Sequence, residues 1–224
     1  DDHGVDTVPA NPSGLQWPPL VGGTLVRRYQ RFRADVMLAD GTTVTAHCPN
    51  TGSMTDCCEP GRPVYLSVND NPRRKLAYTW ELIQMPDSLV GVNTLVPNRL
   101  VRHAVQTGQV PELADYAGIQ AEVRIGNNSR VDLVLQDDQR GPCYVEVKNC
   151  TMVRDGRARF PDAVTARGLK HLRELTALVA EGRRCVMFYF VQRMDATAFQ
   201  PADAIDPAYG QALRSAVRHG VEIL

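Results

Sequence analysis

Three short runs, Gln120-Ala-Glu-Val-Arg-Ile125, Ser129-Arg-Val-Asp-Leu-Val-Leu135 and Cys143-Tyr-Val-Glu-Val-Lys148, decide the fold of this chain. Each alternates apolar and polar residues, the pattern of a strand with one covered face. Ala121, Val123 and Ile125 fall on that face, as do Val131, Leu133, Leu135, Cys143, Val145 and Val147. The opposite face carries Glu122, Arg124, Asp132, Glu146 and Lys148.

Gly126-Asn127-Asn128 separates the first two runs and predicts a tight turn centred on residue 127, because Gly and Asn tolerate positive φ. An antiparallel hairpin folded there sets Glu122 opposite Asp132. The polar turn from Gln136 to Pro142 is symmetric about residue 139 and sets Asp132 opposite Glu146. The expectation is a row of three carboxylates across three strands, with Lys148 one step along.

Like charges directly opposite on a sheet repel, so such a row calls for a cation. Mg²⁺ (or Mn²⁺) suits carboxylate oxygens and retains several waters. Lys148 would then orient or help activate a water, the outline of a metal-assisted phosphodiester hydrolase. The plainer alternative is a wet sheet face on which Glu146 and Lys148 form a screened pair of little value. Lysine is scarce, found only at Lys75, Lys148 and Lys170, which makes its placement here less ordinary.

Lys+Arg and Asp+Glu balance at 25 each in 224 residues, so no global basic field points to nucleic acid, and any such partner must meet local patches. No apolar run is long enough for a membrane span and no secretory leader is visible, so the expectation is a soluble, cytoplasmic protein with no membrane partner. The lack of an initiator Met and the strand-like Val221-Glu222-Ile223-Leu224 suggest a trimmed piece of a longer chain. Cys48, Cys57 and Cys58 with His47 offer four zinc-type donors, but the spacing matches no paired Cys-x-x-Cys knuckle; free thiols in a reducing compartment are the favoured reading.

The expected organisation is a flexible tail over 1–17, a small OB-like, nucleic-acid-binding β-barrel over 18–95, and a mixed-sheet α/β domain over 96–224. Short strands are predicted near 24–28, 33–38, 42–47, 64–68, 78–83 and 89–92. Two stretches of the barrel mix cations with rings: residues 27–33, with Arg31 and Arg33, and Arg73-Arg74-Lys75 ahead of Tyr78 and Trp80. Guanidinium groups suit phosphates and rings can stack on bases; the arginines are read as phosphate-facing and the aromatics as mostly core. After a boundary at 94–98, a helix over 99–106 precedes the meander. An irregular basic segment over 154–160, a helix over 165–181, an apolar strand at 185–191 covered on both faces, and a last helix from Asp206-Pro207 to Gly220 follow. That order, with an Asp followed by Glu-x-Lys on adjacent strands, is the layout of restriction-endonuclease-like folds.

With those elements in place, the strings Arg-Phe-Arg-Ala-Asp-Val (31–36), His-Cys-Pro-Asn-Thr-Gly-Ser-Met (47–54), Tyr-Thr-Trp-Glu-Leu (78–82), Ser-Arg-Val-Asp (129–132), Tyr-Val-Glu-Val-Lys (144–148) and the run from Phe160 to Leu175 resemble the sugar fermentation stimulation protein family. The resemblance extends from about residue 20 to 224. It implies a DNA-binding protein with an OB-like domain joined to a nuclease-like domain. It also implies Asp132 and Glu146 as metal ligands, Lys148 as the catalytic lysine, Glu122 as a further acid, and Arg130, Arg167, Lys170 and His171 along the same cleft. The helix before the meander has no acid where some related nucleases carry one.

Two functions compete at this level. One is a Mg²⁺-dependent DNA endonuclease that holds DNA largely by phosphate contacts. The other is a non-catalytic DNA-binding regulator of sugar-utilisation genes with a vestigial nuclease fold. No helix-turn-helix recognition helix is visible, which weighs against sequence-specific major-groove reading. An RNA-processing role, the oligomeric state (a homodimer included) and the role of the 47–54 loop stay open.

Overall fold

The computed structural model describes residues 14–224; most of the expected 1–17 tail lies outside the described residues. The first half is a closed barrel built from β1 (Leu20–Tyr29), β2 (Arg33–Leu38), β3 (Thr43–His47), β4 (Pro63–Val68) and β5 (Tyr78–Met85), with β6 (Ser88–Gly91) paired outside it. β1 runs antiparallel to both β2 and β4, and the ring closes where β3 meets β5 in parallel through Ala46↔Tyr78 and His47↔Thr79. That 1-2-3-5-4 circuit is the OB topology. Leu25, Val36, Leu66, Trp80 and Ile83 fill its centre, and the buried Trp80 indole donates to the Leu82 carbonyl at 3.0 Å. The ring-as-core expectation holds for Trp80 but not for Phe32, which is 43% exposed on the β1–β2 turn.

The second half opens with α1 (Val96–Gln106), a 3-10 turn at Pro111–Leu113, and the meander β7 (Gly118–Ile125), β8 (Ser129–Gln136) and β9 (Cys143–Cys150). It continues through β10 (Met152–Arg154), β11 (Arg157–Phe160), α2 (Ala166–Ala180), β12 (Arg184–Val191), β13 (Ala198–Pro201), α3 (Pro207–Arg218) and β14 (Glu222–Ile223). The main sheet has the order β14-β12-β9-β8-β7. β12 lies parallel to β9, as a strand–helix–strand crossover requires. Its residues alternate between two cores: Cys185, Met187 and Tyr189 pack with Leu172, Leu175 and Leu213, while Val186, Phe188 and Phe190 face the side that holds Val101 and Val105. The sheet is thus sandwiched between α1 and the α2–α3 pair.

Asp206 ties those two helices together. Its Oδ1 accepts the Tyr209 N–H at 3.0 Å as the cap of α3, and its Oδ2 accepts the Thr165 N–H at 2.9 Å at the start of α2. Thr165 in turn caps α2 by accepting the Gly168 N–H. α2 is therefore held at its first turn, the turn that carries Arg167.

Two sequence expectations need correction. The segment 154–160 is not irregular: β10 and β11 form a hairpin, and β13 adds in parallel to make a separate three-stranded sheet. α1 begins at Val96 rather than Arg99, since Pro97 sits in its first turn, where a missing N–H costs nothing. Asn98, assigned to the domain boundary, is helical.

Candidate active site

The meander folds in the expected register. β7 and β8 pair as Ala121↔Leu133 and Val123↔Val131, symmetric about residue 127, and β8 and β9 pair as Leu133↔Val145 and Leu135↔Cys143, symmetric about 139. The single-face alternation, however, breaks at Glu122 and Asp132. Val123, Ile125 and Val131 pack on the α2–α3 side, whereas Ile119, Leu133 and Leu135 pack on the α1 side. Glu122 has φ +56°, a left-handed backbone that reverses the alternation of its strand.

This kink separates the three acids. Glu122 is exposed and is not among the residues lining the cleft that holds the other two. The expected row of three is a pair, and among the described residues no group of three or more His, Cys, Asp or Glu side chains is arranged to hold a metal ion.

Asp132, Glu146 and Lys148 do share one cleft of about 430 Å³, between the barrel and the main sheet. Asp132 Oδ1 accepts from Asn98 Nδ2 at 2.8 Å, and Oδ2 accepts the backbone N–H of Val147 at 2.7 Å. Burial, then the nearby charge of Glu146, pushes the Asp132 carboxyl up to about 6, against the opposing pull of those two hydrogen bonds and of Lys148. Glu146 is only 5% exposed, and burial alone would raise it. Its Oε1 lies 2.8 Å from His171 Nδ1 and accepts from Lys148 Nζ at 3.0 Å, and these partners hold the carboxyl below its ordinary value.

Lys148 Nζ and His171 Nδ1 are themselves 2.9 Å apart, which closes a triangle. A single ring nitrogen has one proton or one lone pair, so Nδ1 serves Glu146 or Lys148, not both at once. His171, expected along the nucleic-acid cleft, is 6% exposed and acts from beneath as the partner of the acid and the lysine.

The barrel supplies the opposite wall. The 47–54 loop reaches the cleft through Asn50, Thr51 and Gly52, and Arg31 projects from the β1–β2 turn to the same place. Arg28 clamps this arrangement: Nη2 donates to the carbonyls of Asn50 and Gly52, and Nε to that of Arg31. Asp162, beyond β11, accepts the Met54 N–H at 3.1 Å and fixes the loop to the second domain. A Cβ at Gly52 would lie 3.1 Å from both Asn50 Oδ1 and Asp162 Oδ2, so glycine suits this close approach.

Of the expected basic residues, Arg31, Arg167 and His171 line the cleft, and Arg130 and Lys170 are not among its lining. Arg130 pairs across the ladder with Arg124, and Lys170 lies 3.6 Å from Glu174 on its own helix. Arg33, Arg74 and Lys75 line a separate hollow on the barrel with Phe32, and Arg73 is exposed beside them. The residues missed from sequence are Asn98 and Asp162; the early helix start would have exposed the first and nothing local marks the second, whereas Asn50 belongs to the 47–54 loop, for which facing the cleft is one of two open readings of the sequence. All six cysteines are free thiols, five of them buried. No helix among the described residues is long and apolar enough to cross a membrane.

Comparison with known proteins matches both halves of this architecture. Residues 26–92 match the SfsA N-terminal OB domain, and residues 95–224 match the sugar fermentation stimulation protein RE domain. A sugar fermentation stimulation protein homolog of Geobacter sulfurreducens is 60% identical over 206 residues, 92% of this chain and 88% of the relative. That of Geobacter metallireducens is 61% identical over 207 residues, 92% and 89% of the two chains. Among solved structures, that of Pyrococcus furiosus SfsA in complex with Ca²⁺ superposes with a TM-score of 0.84 at 25% identity, covering 93% of this chain and 88% of that one. With an OB barrel followed by a mixed-sheet domain, and family models matching both, this chain belongs to the sugar fermentation stimulation protein family.

Proposed function

We propose that this protein is a divalent-metal-dependent DNA endonuclease whose cleft, floored by Asp132, Glu146 and Lys148 and walled by Arg31 and Arg167, grips DNA largely by its phosphates. The observation that carries the reading is the electrostatics of the floor. Half-buried Asp132 and buried Glu146 stand close enough for Glu146 to raise Asp132 although Lys148 pairs with Glu146, an arrangement that is costly unless a further cation joins the two acids.

The donor set fits Mg²⁺ or Mn²⁺: hard carboxylate oxygens, too few for an all-protein cage, as expected for a metal that keeps waters and takes substrate phosphate oxygens. When bound, such an ion supplies Lewis-acid polarisation of a phosphoryl oxygen and a more acidic water. The relative from Pyrococcus furiosus was solved with Ca²⁺, which supports a divalent site in this fold.

The residues of the chain itself divide the remaining work. Asn98 and the Val147 N–H hold the Asp132 carboxylate in one orientation. His171 can take over either Glu146 or Lys148, so the lysine can turn from the acid toward a water or an oxyanion without leaving a buried charge unpaired. Arg31 and Arg167 offer forked donors to phosphates on either side of the acids.

The test incubates the protein with supercoiled, linear and branched DNA in Mg²⁺, Mn²⁺ or chelator, beside Asp132→Ala. Metal-dependent cutting lost in the variant supports the endonuclease. DNA retention without cutting under either metal supports the second reading, a non-catalytic DNA-binding regulator. That reading draws on Lys148, which rests on Glu146 here, and on the missing third acid.

A further inference from the structure

The loop between β11 and α2 is anchored at three points. The Phe160 ring packs on Tyr189 and Tyr209, with centroids 5.6 and 5.3 Å away. Asp162 is held from the barrel: its Oδ2 accepts the Met54 N–H at 3.1 Å and its carbonyl accepts from Ser53 Oγ at 3.0 Å. The Thr165 N–H donates to Asp206 Oδ2 at 2.9 Å, and the Thr165 hydroxyl caps α2. Between the last two anchors, Ala163 and Val164 line the cleft that holds Asp132 and Glu146.

Val164 is 75% exposed, and among the described large apolar side chains only Met194 is more so. Its position has an ordinary structural use: the residue before a helix cap often packs on the fourth helical residue, here Leu169, as a hydrophobic staple. At this exposure Val164 is too open for that role. It stands instead in a cleft whose other lining is mostly polar, with Arg167 on the same wall and Arg31 on the opposite one. A single exposed valine on an outer surface needs no explanation. One presented by a fixed loop, among groups suited to phosphates, does.

We propose that Val164 is a wedge that enters DNA beside the phosphate to be cut and partly unstacks one base step, so that the cleft selects duplex sites whose stack opens easily. Apolar side chains pushed between base pairs kink a duplex at the cost of unstacking it. That cost is low at pyrimidine–purine steps such as TA and high in stiff A-tracts. The anchoring of the loop is what makes the wedge effective, because an apolar side chain on a loose loop would fold back onto the protein rather than open a stack. The substrate class that follows is duplex DNA with a flexible step next to the scissile bond. This deepens the proposed function and rests on it for where the DNA lies, not for the cutting.

The experiment measures binding in chelator, so it does not depend on cutting. Duplexes carrying 2-aminopurine in a central TA step or inside an A-tract are titrated with the full chain by fluorescence anisotropy, and the 2-aminopurine emission is read at saturation. Wild type should bind the TA duplex more tightly than the A-tract by roughly tenfold. Emission at the TA step should rise on binding as the base loses its stacking. Val164→Ser, which shortens and polarises the side chain, should bind both duplexes alike and leave the emission at its free value. Val164→Ile should keep both the preference and the rise, and thermal melting checks that the two variants are folded. Equal affinity of wild type for the two duplexes, no rise in emission, a rise that survives in Val164→Ser, or no binding to DNA at all would overturn the proposal. If the preference and the rise stand and no metal supports cutting, the nuclease reading fails and this one survives; cutting without unstacking keeps the nuclease and removes the wedge.

Discussion

Asp132 Oδ2 accepts the backbone N–H of Val147 at 2.7 Å, just where the β8–β9 ladder stops at Leu133↔Val145. A side chain thus replaces a main-chain partner, and the two strands open beside a half-buried carboxylate. The arrangement costs stability. The Asp132 carboxyl sits at about 6 against an ordinary 3.8, so the fold favours its protonated form. That contribution is complete below pH 3.8 and is lost as pH rises through 6; above it, ionised Asp132 destabilises the fold by about 1–3 kcal/mol. Asp132→Asn should therefore abolish cutting yet be more stable than the parent at pH 8 in chelator, with the advantage shrinking by pH 4. Urea unfolding at the two pH values measures this, and a variant less stable than the parent at pH 8 would refute it.

Metal should reverse the same penalty. Millimolar Mg²⁺ or Mn²⁺ is expected to raise the melting temperature of the parent and not that of Asp132→Asn, since only an ion that binds the folded state stabilises it. Calorimetric scans with metal and with chelator decide the matter. An equal rise in both proteins would move the ion elsewhere.

His171→Ala tests the triangle beneath the acids. Glu146 is held below its ordinary value, so its contribution is present above pH 4.5 and is lost as pH falls through its lowered folded value. Removing His171 leaves burial less opposed and raises the folded value. Acid unfolding should then begin at a higher pH, with a loss of about 1–3 kcal/mol at pH 7 from the missing buried partner. The midpoint of acid unfolding, followed by circular dichroism, reads this directly; an unchanged midpoint would remove His171 from the site.

The register of this site was legible because turns made of Gly126-Asn127-Asn128 and Gln136–Pro142 leave few ways to pair the flanking strands. What alternation cannot reveal is a reversal of face. Glu122 in left-handed backbone looks like any polar strand residue in sequence, and the loss of the third acid follows from it. Asn98 was hidden by Pro97, which reads equally as a linker and as a first helical turn. In sequence His171 groups with Arg167, Lys170 and Glu174 on a polar face adjoining the leucine stripe, yet it is buried with Gly168, Leu172 and Leu175 and meets Glu146 of β9. The 47–54 loop gains its place from Arg28 and from Asp162, over 100 residues away, and no local pattern records such a partner.

The division of basic residues can be measured through salt. Arg31 and Arg167 line the cleft, while Arg130 and Lys170 do not. Each phosphate contact contributes about 0.9 to the slope of log affinity against log salt. Arg31→Ala/Arg167→Ala should reduce that slope by about 2. Arg130→Ala/Lys170→Ala should leave it nearly unchanged. Equal reductions in the two double variants would mean that the DNA path runs over the outer face of α2 as well.

The seam between the halves matters to the site as well, because the cleft lies between the barrel and the sheet. Gly91 donates its N–H to the Gln192 carbonyl at 2.9 Å, and the Gln192 side chain donates to Asn93 O at 3.2 Å and Asn149 Oδ1 at 2.7 Å. One glutamine thereby joins the end of β6, the approach to α1 and the end of β9. A Cβ at Gly91 would overlap Gln192 Oε1 and lie 2.9 Å from its Cδ, so Gly91→Ala displaces this side chain from both partners. The expected loss is about 1–3 kcal/mol, from partly unsatisfied amide groups and overpacking. Cutting and DNA affinity should fall although no cleft residue has changed. Gly91→Ala/Gln192→Ala, which removes the clash but not the missing bonds, should recover part of the stability and less of the cutting. Urea unfolding and cleavage rates for the single and double variants provide the test. Full cleavage by Gly91→Ala at reduced stability would show that the catalytic groups do not depend on this seam.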